Sequence, residues 1–324
     1  MRVNAVFEGG GVKGIALVGA VAAAEQAKVT FHQVAGTSVG ALVASFIAAG
    51  YSSAQLTELV YSAPYQKFVT KDWLYKLSFA GPALRLFLKD GLHTGDELEQ
   101  WVAQQLANKG IYTFRDLPLH ALRVVASDLT RGKLLVLPDD IAQYDIDPLD
   151  LSVAKAVRMS ASLPYFFEPV IIHNHRISRP RLAYTFSSKT SYYIVDGGIL
   201  SNYPLWIFDA EMESWPPKIP TLGFQLVGKK DAEPREIKGP ISMLSALFAT
   251  MMSAHDDRYI AEHNRFRTIK IPSDMVHTTE FSLSQEQARQ LYQSGYEAGK
   301  QYFDRWSYSG YAKEMEKNSK KIKR

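Results

Sequence analysis

The sequence contains no cysteine, and that absence removes disulfide bonds, thiolate nucleophiles and cysteine-ligated zinc together, while leaving the redox compartment open. Long hydrophobic runs are lacking as well. The longest, IALVGAVAAA and VGALVASFIAAG, fall short of the roughly 18 to 20 apolar residues that a membrane-spanning helix requires. The first of them follows Arg2 and Lys13 and ends in small residues, in the manner of a secretory leader, but cleavage there would discard the glycine loop described below. The expectation is a cytoplasmic chain, soluble or peripheral to a membrane. Excess charge is also missing: 37 Lys and Arg against 33 Asp and Glu leave +4 over 324 residues, which gives nucleic-acid binding no compositional support. The one dense charge run, KEMEKNSKKIKR, reads as a flexible basic tail over 309–324 behind a single domain over 1–308. No Gly/Ser- or Pro-rich linker and no internal repeat divides the chain.

What is present is enough apolar material for a large core, 46% of residues, arranged as alternating strand and helix patterns. VNAVF (3–7) reads as a strand, a glycine loop follows, and 12–27 reads as a helix rich in small residues. VTFHQVAG repeats the strand, and 39–50 is a second apolar helix closed by Gly50. Two strand–loop–helix units in fifty residues call for a parallel sheet. Further on, Ser52 or Ser53 caps a helix over 53–62, and a Thr or Asp cap opens another over 94–110. ALRVVASDLTRGKLLVLP reads as a hairpin turning at Thr130, Arg131 and Gly132. SVAKAVRMSASL is a helix stopped before Pro164, YYIVDGG a buried strand, TLGFQLV and RTIKIP further strands, and SQEQARQLYQSGYEAGKQYFDRW a long terminal helix. Two stretches carry two readings each: 64–91 as helices on the core or as a lid, and the basic 173–191, an exposed loop or hairpin, as a solvated connection or a contact for lipid headgroups.

Gly9, Gly11 and Gly14 satisfy G-x-G-x-x-G, but a dinucleotide site wants an acidic residue near the end of the second strand, where this chain has Thr37 and Ser38. A phosphate-binding P-loop fails too, because Gly14 follows Lys13. The second strand ends instead in Gly36-Thr37-Ser38-Val39-Gly40, a G-x-S-x-G pattern that sets Ser38 on a sharp strand-to-helix turn. The glycine loop then offers backbone N–H groups at a helix N-terminus, the donors an oxyanion needs. A base must accompany the serine. His255, His263 and His277 follow in the chain order of a Ser-His-Asp hydrolase, yet such enzymes place the elbow deep in the sheet, which two strands and a helix cannot supply. Asp196 in IVDGG is the better candidate: an apolar strand delivers it between glycines, and partial desolvation would raise its pKa toward that of a useful base.

GGGVKG, GTSVG and DGG, in that order and joined by SASLPYFFEPV and DGGILSNYP, resemble the patatin-like phospholipases over residues 3–304. The resemblance implies a three-layer α/β/α sandwich with a mostly parallel sheet and a lipid acyl hydrolase without cofactor or metal. It makes Ser38 the nucleophile, Asp196 its base, and the amides of Gly10, Gly11 and Val12 the oxyanion donors. Gly9, Lys13, Gly14, Gly36, Gly40, Gly197 and Gly198 support them. The implied partner is a lipid ester such as a phospholipid or lysophospholipid, with a membrane or micelle surface as a candidate contact. A short-chain carboxylesterase and a non-catalytic lipid-binding member are the alternatives. Glu8 stands where many members have Asp, and 173–191 exceeds the family's usual short connection.

Overall fold

The opening fifty residues fold as the twice-repeated unit that their pattern dictates. The computed structural model describes residues 1–68, 91–174, 190–228 apart from 211, 213 and 215, five single positions between 237 and 250, 262–276, and 283–322. Its strands are β1 (Arg2–Phe7), β2 (Thr30–Thr37), β3 (Gly91–His93), β4 (Leu122–Asp128), β5 (Lys133–Leu137), β6 (Tyr165–Phe167), β7 (Val170–Asn174), β8 (Thr190–Asp196), β9 (Thr221–Val227) and β10 (Thr268–Pro272). Its helices are α1 (Gly14–Gln26), α2 (Val39–Ala48), α3 (Ser53–Ser62), α4 (Tyr65–Phe68), α5 (Asp96–Ala107), α6 (Val153–Ser160), α7 (Trp206–Ala210), α8 (Gln285–Phe303) and α9 (Tyr308–Ile322).

Eight strands form the central sheet, ordered β10-β9-β1-β2-β4-β8-β7, with β5 also on β4. The pairings from β10 to β4 are parallel, and those of β4 with β5, β4 with β8 and β7 with β8 are antiparallel. β4 is the pivot. Its Val124–Asp128 pair with β5 along one edge, so β2 and β8 must share the other. β2 occupies that edge up to Thr37 opposite Val125, and β8 occupies it from the opposite direction, ending with Asp196 opposite Ala126. The two strands therefore meet head-on at adjacent rungs, and whatever follows Thr37 lies next to Asp196.

The larger core joins β1, β2, β4, β9 and β10 to α1, α2, α6 and α8. α1 is buried around almost its whole circumference, which accounts for its lack of a polar face. Its small residues permit a close crossing by α8: a Cβ on Gly19 would lie 2.0 Å from the Tyr292 carbonyl oxygen. A smaller core of Val6, Ala35, Val125, Tyr203, Leu205, Ile207 and Phe208 covers the other face. Beside it, the fully buried Arg267 is neutralised by paired 2.6 Å hydrogen bonds to Asp209.

Two local expectations are corrected. α5 begins at a left-handed Gly95 rather than at a Thr or Asp side-chain cap, because the Arg158 guanidinium packs where a Cβ at 95 would stand. Tyr308–Ile322 is helical, not a frayed tail: Tyr311 and Met315, four residues apart, are buried on one face of α9. Of the loop and the hairpin expected for 173–191 the hairpin is found, since the connection joins two antiparallel strands with Asn174 opposite Thr190. Its residues 175–189, and 69–90 of the alternative lid, lie outside the described residues. Among the described residues no helix is long and apolar enough to cross a membrane.

Candidate active site

Ser38 sits between β2 and α2 with φ 54° and ψ −124°, a conformation that costs an L-residue about 1–3 kcal/mol and persists only where the surroundings enforce it. They do so through close packing. A Cβ on Gly40 would lie 2.2 Å from the Phe7 carbonyl oxygen and 2.6 Å from that of Glu8, so the first turn of α2 presses directly on the end of β1. Gly36 is packed against the Gly40 backbone on the other side of the turn. The Ser38 amide donates to Ser160 Oγ at 2.8 Å, and Ser160 Oγ donates in turn to the Val125 carbonyl at 2.5 Å.

Asp196 is 2% exposed at the end of β8. Its amide donates to the Ser162 carbonyl at 2.9 Å. Its Oδ1 accepts from the Gly198 amide at 2.8 Å, and the Ser38 side chain lies beside its carboxyl group. Burial pushes its pKa up from 3.8 to about 7, against the opposing pull of the Gly198 amide and the Ser38 side chain. The result is a carboxyl group whose basicity suits proton transfer near neutral pH. Among the described residues no histidine hydrogen-bonds to Ser38 or Asp196. His263 belongs to the 3-10 turn Glu262–Arg267, and His255 and His277 lie outside the described residues.

The glycine loop is fastened at both ends of its first residue. Gly9 N–H donates to the Asn202 carbonyl at 3.2 Å, and Asn202 Nδ2 donates to the Gly9 carbonyl at 3.3 Å. Gly11 then takes a left-handed φ of 56°, in the turn Gly11–Lys13 that feeds α1 at Gly14, where Val39 packs against the glycine. Among the described residues no side chain, and no carbonyl outside this turn, accepts from the amides of Gly10, Gly11 or Val12. Lys13 is half-buried, and burial lowers its pKa against the attraction of Asp274 and Glu8. Glu8 fills its position by accepting from the Leu226 amide, a structural use that tolerates Glu in place of Asp.

Four contributors to the site carry no assignment from sequence. Ser160 and Ser162 bracket the end of α6 and hold the backbone of Ser38 and of Asp196 respectively. Arg158, buried one turn earlier, donates to Ser162 Oγ, to the Thr94 carbonyl and, at 2.7 Å, to the Glu168 carbonyl. Asn202 secures the glycine loop, while Thr37 Oγ1 donates to the neighbouring Ser201 carbonyl at 2.9 Å. The runs SASLP and SNYP are visible in the sequence; the contacts that give them meaning are entirely long-range.

A sheet with helices on both faces, a strained serine elbow and an aspartate meeting it at adjacent rungs define an α/β hydrolytic scaffold. The chain belongs to the patatin-like phospholipases, a family of lipid hydrolases, whose model matches residues 5–209. It is 38% identical over 309 residues to the uncharacterized protein YqhO of Bacillus subtilis, across 95% of this chain and all of that one. It is 23% identical to the uncharacterized protein R571 of Acanthamoeba polyphaga mimivirus, across 92% of each. Its fold is similar to that of VipD from Legionella pneumophila, with a TM-score of 0.53 and 18% identity over 93% of this chain and 66% of VipD, so the chain spans just under two thirds of that protein.

Proposed function

We propose that the protein hydrolyses phospholipid, lysophospholipid or related lipid carboxylic esters through an acyl-enzyme on Ser38, with Asp196 as the base. The observation that carries this reading is the meeting of Ser38 and the buried Asp196 at adjacent rungs of β4, where burial raises the carboxyl pKa to about 7. Ser38 Oγ attacks the ester carbonyl carbon as Asp196 takes its proton. The tetrahedral oxyanion is held by the amides of Gly10, Gly11 and Val12, donors of a kind worth roughly 2.7–4 kcal/mol each in acyl transfer. Collapse expels the alcohol, which receives the proton from Asp196. Water, deprotonated by the same carboxylate, then attacks the acyl-enzyme and releases the fatty acid with Ser38 restored. The backbone that carries Ser38 cannot shift far, because it is held through Ser160 and Gly40.

The test is reaction with a fluorophosphonate probe followed by peptide mapping. The label is expected on Ser38 alone and is lost from the Asp196→Asn protein. Modification of another residue in a folded protein overturns the assignment.

A further inference from the structure

The loop that follows α6 is anchored on the site at both ends. It leaves at Ser162, whose carbonyl accepts the Asp196 amide at 2.9 Å, and returns at Val170, which pairs with Ile194, two residues before Asp196 on β8. The buried Arg158 ties the two ends together through Ser162 Oγ and, at 2.7 Å, the Glu168 carbonyl. Phe166 and Phe167 fix the interior of the loop: their rings meet edge to face at 4.9 Å, and both meet the buried His93 ring in the same manner.

Tyr165, beside them, is not explained by packing. The Phe166 amide donates to the Leu163 carbonyl at 3.1 Å, which closes a turn with Pro164 and Tyr165 as its central residues. Tyr165 has φ 64°. Proline followed by a positive φ marks a type II turn, whose second central position favours glycine or asparagine because other side chains are strained there. For a bulky residue the conformation is an outlier, and strain of this kind gathers where function uses it. No internal contact offsets it: Tyr165 is 43% exposed, and among the described residues its ring meets no other ring and its hydroxyl makes no hydrogen bond. A rigid base thus holds an unsupported aromatic side chain at its tip. Three residues span at most about 11 Å, so that tip lies within this reach of Ser162, which holds the backbone of Asp196.

The order of the reacting groups decides which part of a substrate the ring meets. The ester carbonyl oxygen turns to the amides of the glycine loop, and the leaving alcohol turns to Asp196, from which it takes its proton. A residue beside Asp196 therefore stands beside the alcohol half of the ester, not the acyl half. We propose that Tyr165 is a specificity-determining residue that lays its ring against the alcohol half of the lipid ester, and so selects large apolar alcohols, as in a glycerolipid that keeps its second acyl chain, over small ones. The proposal rests on the hydrolase reading and adds to it the half of the substrate that is read.

The experiment measures kcat and KM for ethyl butyrate, hexyl butyrate and ethyl octanoate, which place the same added methylenes on the alcohol side or on the acyl side. Wild type is compared with Tyr165→Gly and Tyr165→Asn, which suit the turn without the ring, and with Tyr165→Phe, which keeps the ring. Two methylenes covered by a ring correspond to about tenfold in kcat/KM. The preference for hexyl over ethyl butyrate should fall by that factor in the Gly and Asn variants, through a higher KM for the hexyl ester, while the preference for octanoate over butyrate stays within two-fold. Tyr165→Phe should keep both preferences. Tyr165→Gly should melt no lower than wild type, since the strain is relieved and no internal contact is lost. An unchanged alcohol preference, or a loss that follows the acyl chain, overturns the proposal; so does a Tm below that of wild type, which would assign the ring to packing within the protein. Turnover of none of the three esters by wild type also overturns it, and the fluorophosphonate label on Ser38 then reports whether the hydrolase reading stands without it.

Discussion

The backbone amide of Ser38 donates to Ser160 Oγ at 2.8 Å, across 122 positions of sequence, and the same hydroxyl donates onward to Val125. One serine side chain thus joins the elbow, the end of α6 and the pivot strand. Ser160→Ala leaves both the Ser38 amide and the Val125 carbonyl without this partner in a buried setting, a loss of about 1–3 kcal/mol. We expect a lowered Tm together with a kcat at least tenfold lower, and recovery of both in Ser160→Thr, which keeps the hydroxyl. Thermal melts and steady-state kinetics on the pair of variants check this.

The strain at Ser38 can be measured separately from its chemistry. Ser38→Ala and Ser38→Gly both remove the hydroxyl and both should abolish ester hydrolysis. They differ only in the Cβ held at φ 54°. The glycine variant should therefore be the more stable of the two by about 1 kcal/mol in denaturant unfolding. Equal stabilities would mean that the elbow is not strained.

Asp196 sets both an activity profile and a stability profile against pH. Only the carboxylate can accept the Ser38 proton, so kcat/KM should rise with pH through an apparent pKa of about 7 and then level. Stability moves the other way. The folded-state pKa lies above the unfolded one, so the unfolded chain surrenders this proton between pH 4 and 7 while the native protein retains it. Native stability from this group falls across that window and is constant above it. Asp196→Asn does not titrate: its Tm advantage over wild type should widen from pH 4 to 7 and then hold, with turnover lower by at least ~10². Melts and pH–rate profiles on the two proteins measure both.

A dyad assigns no proton transfer to imidazole, so His255→Ala, His263→Ala and His277→Ala should each retain most of the turnover. A loss of several thousandfold in any one of them, with the fold intact by circular dichroism, would reinstate a Ser-His-Asp mechanism.

Much of this was legible because the chemistry-bearing residues sit at the ends of strongly patterned elements. Strand, glycine turn and apolar helix at 3–27 and 30–50 are local signals, and β1, α1, β2 and α2 match them closely. The hairpin at Thr130–Gly132 and the strand leading to Asp196 were equally visible, since each joins an apolar run to turn residues. The antiparallel entry of β8 was not, because strand direction relative to a distant partner leaves no trace in a seven-residue pattern. Ser160, Ser162 and Asn202 were hidden for the same reason: small polar residues near a helix end or a turn are common, and only their partners distinguish them. The helical tail was missed because twelve residues dense in charge outweigh the single buried pair Tyr311 and Met315 in any local reading.

On the proposed mechanism, the head-on meeting of β2 and β8 also sets when, during synthesis, the site is complete. A nascent chain displays its serine elbow within the first forty residues, but the base and the Asn202 clamp on the glycine loop emerge only after α6 and the β7–β8 ribbon. A polypeptide released before residue 196 would carry a serine elbow without that base, and one released before residue 202 a glycine loop with nothing to fasten it.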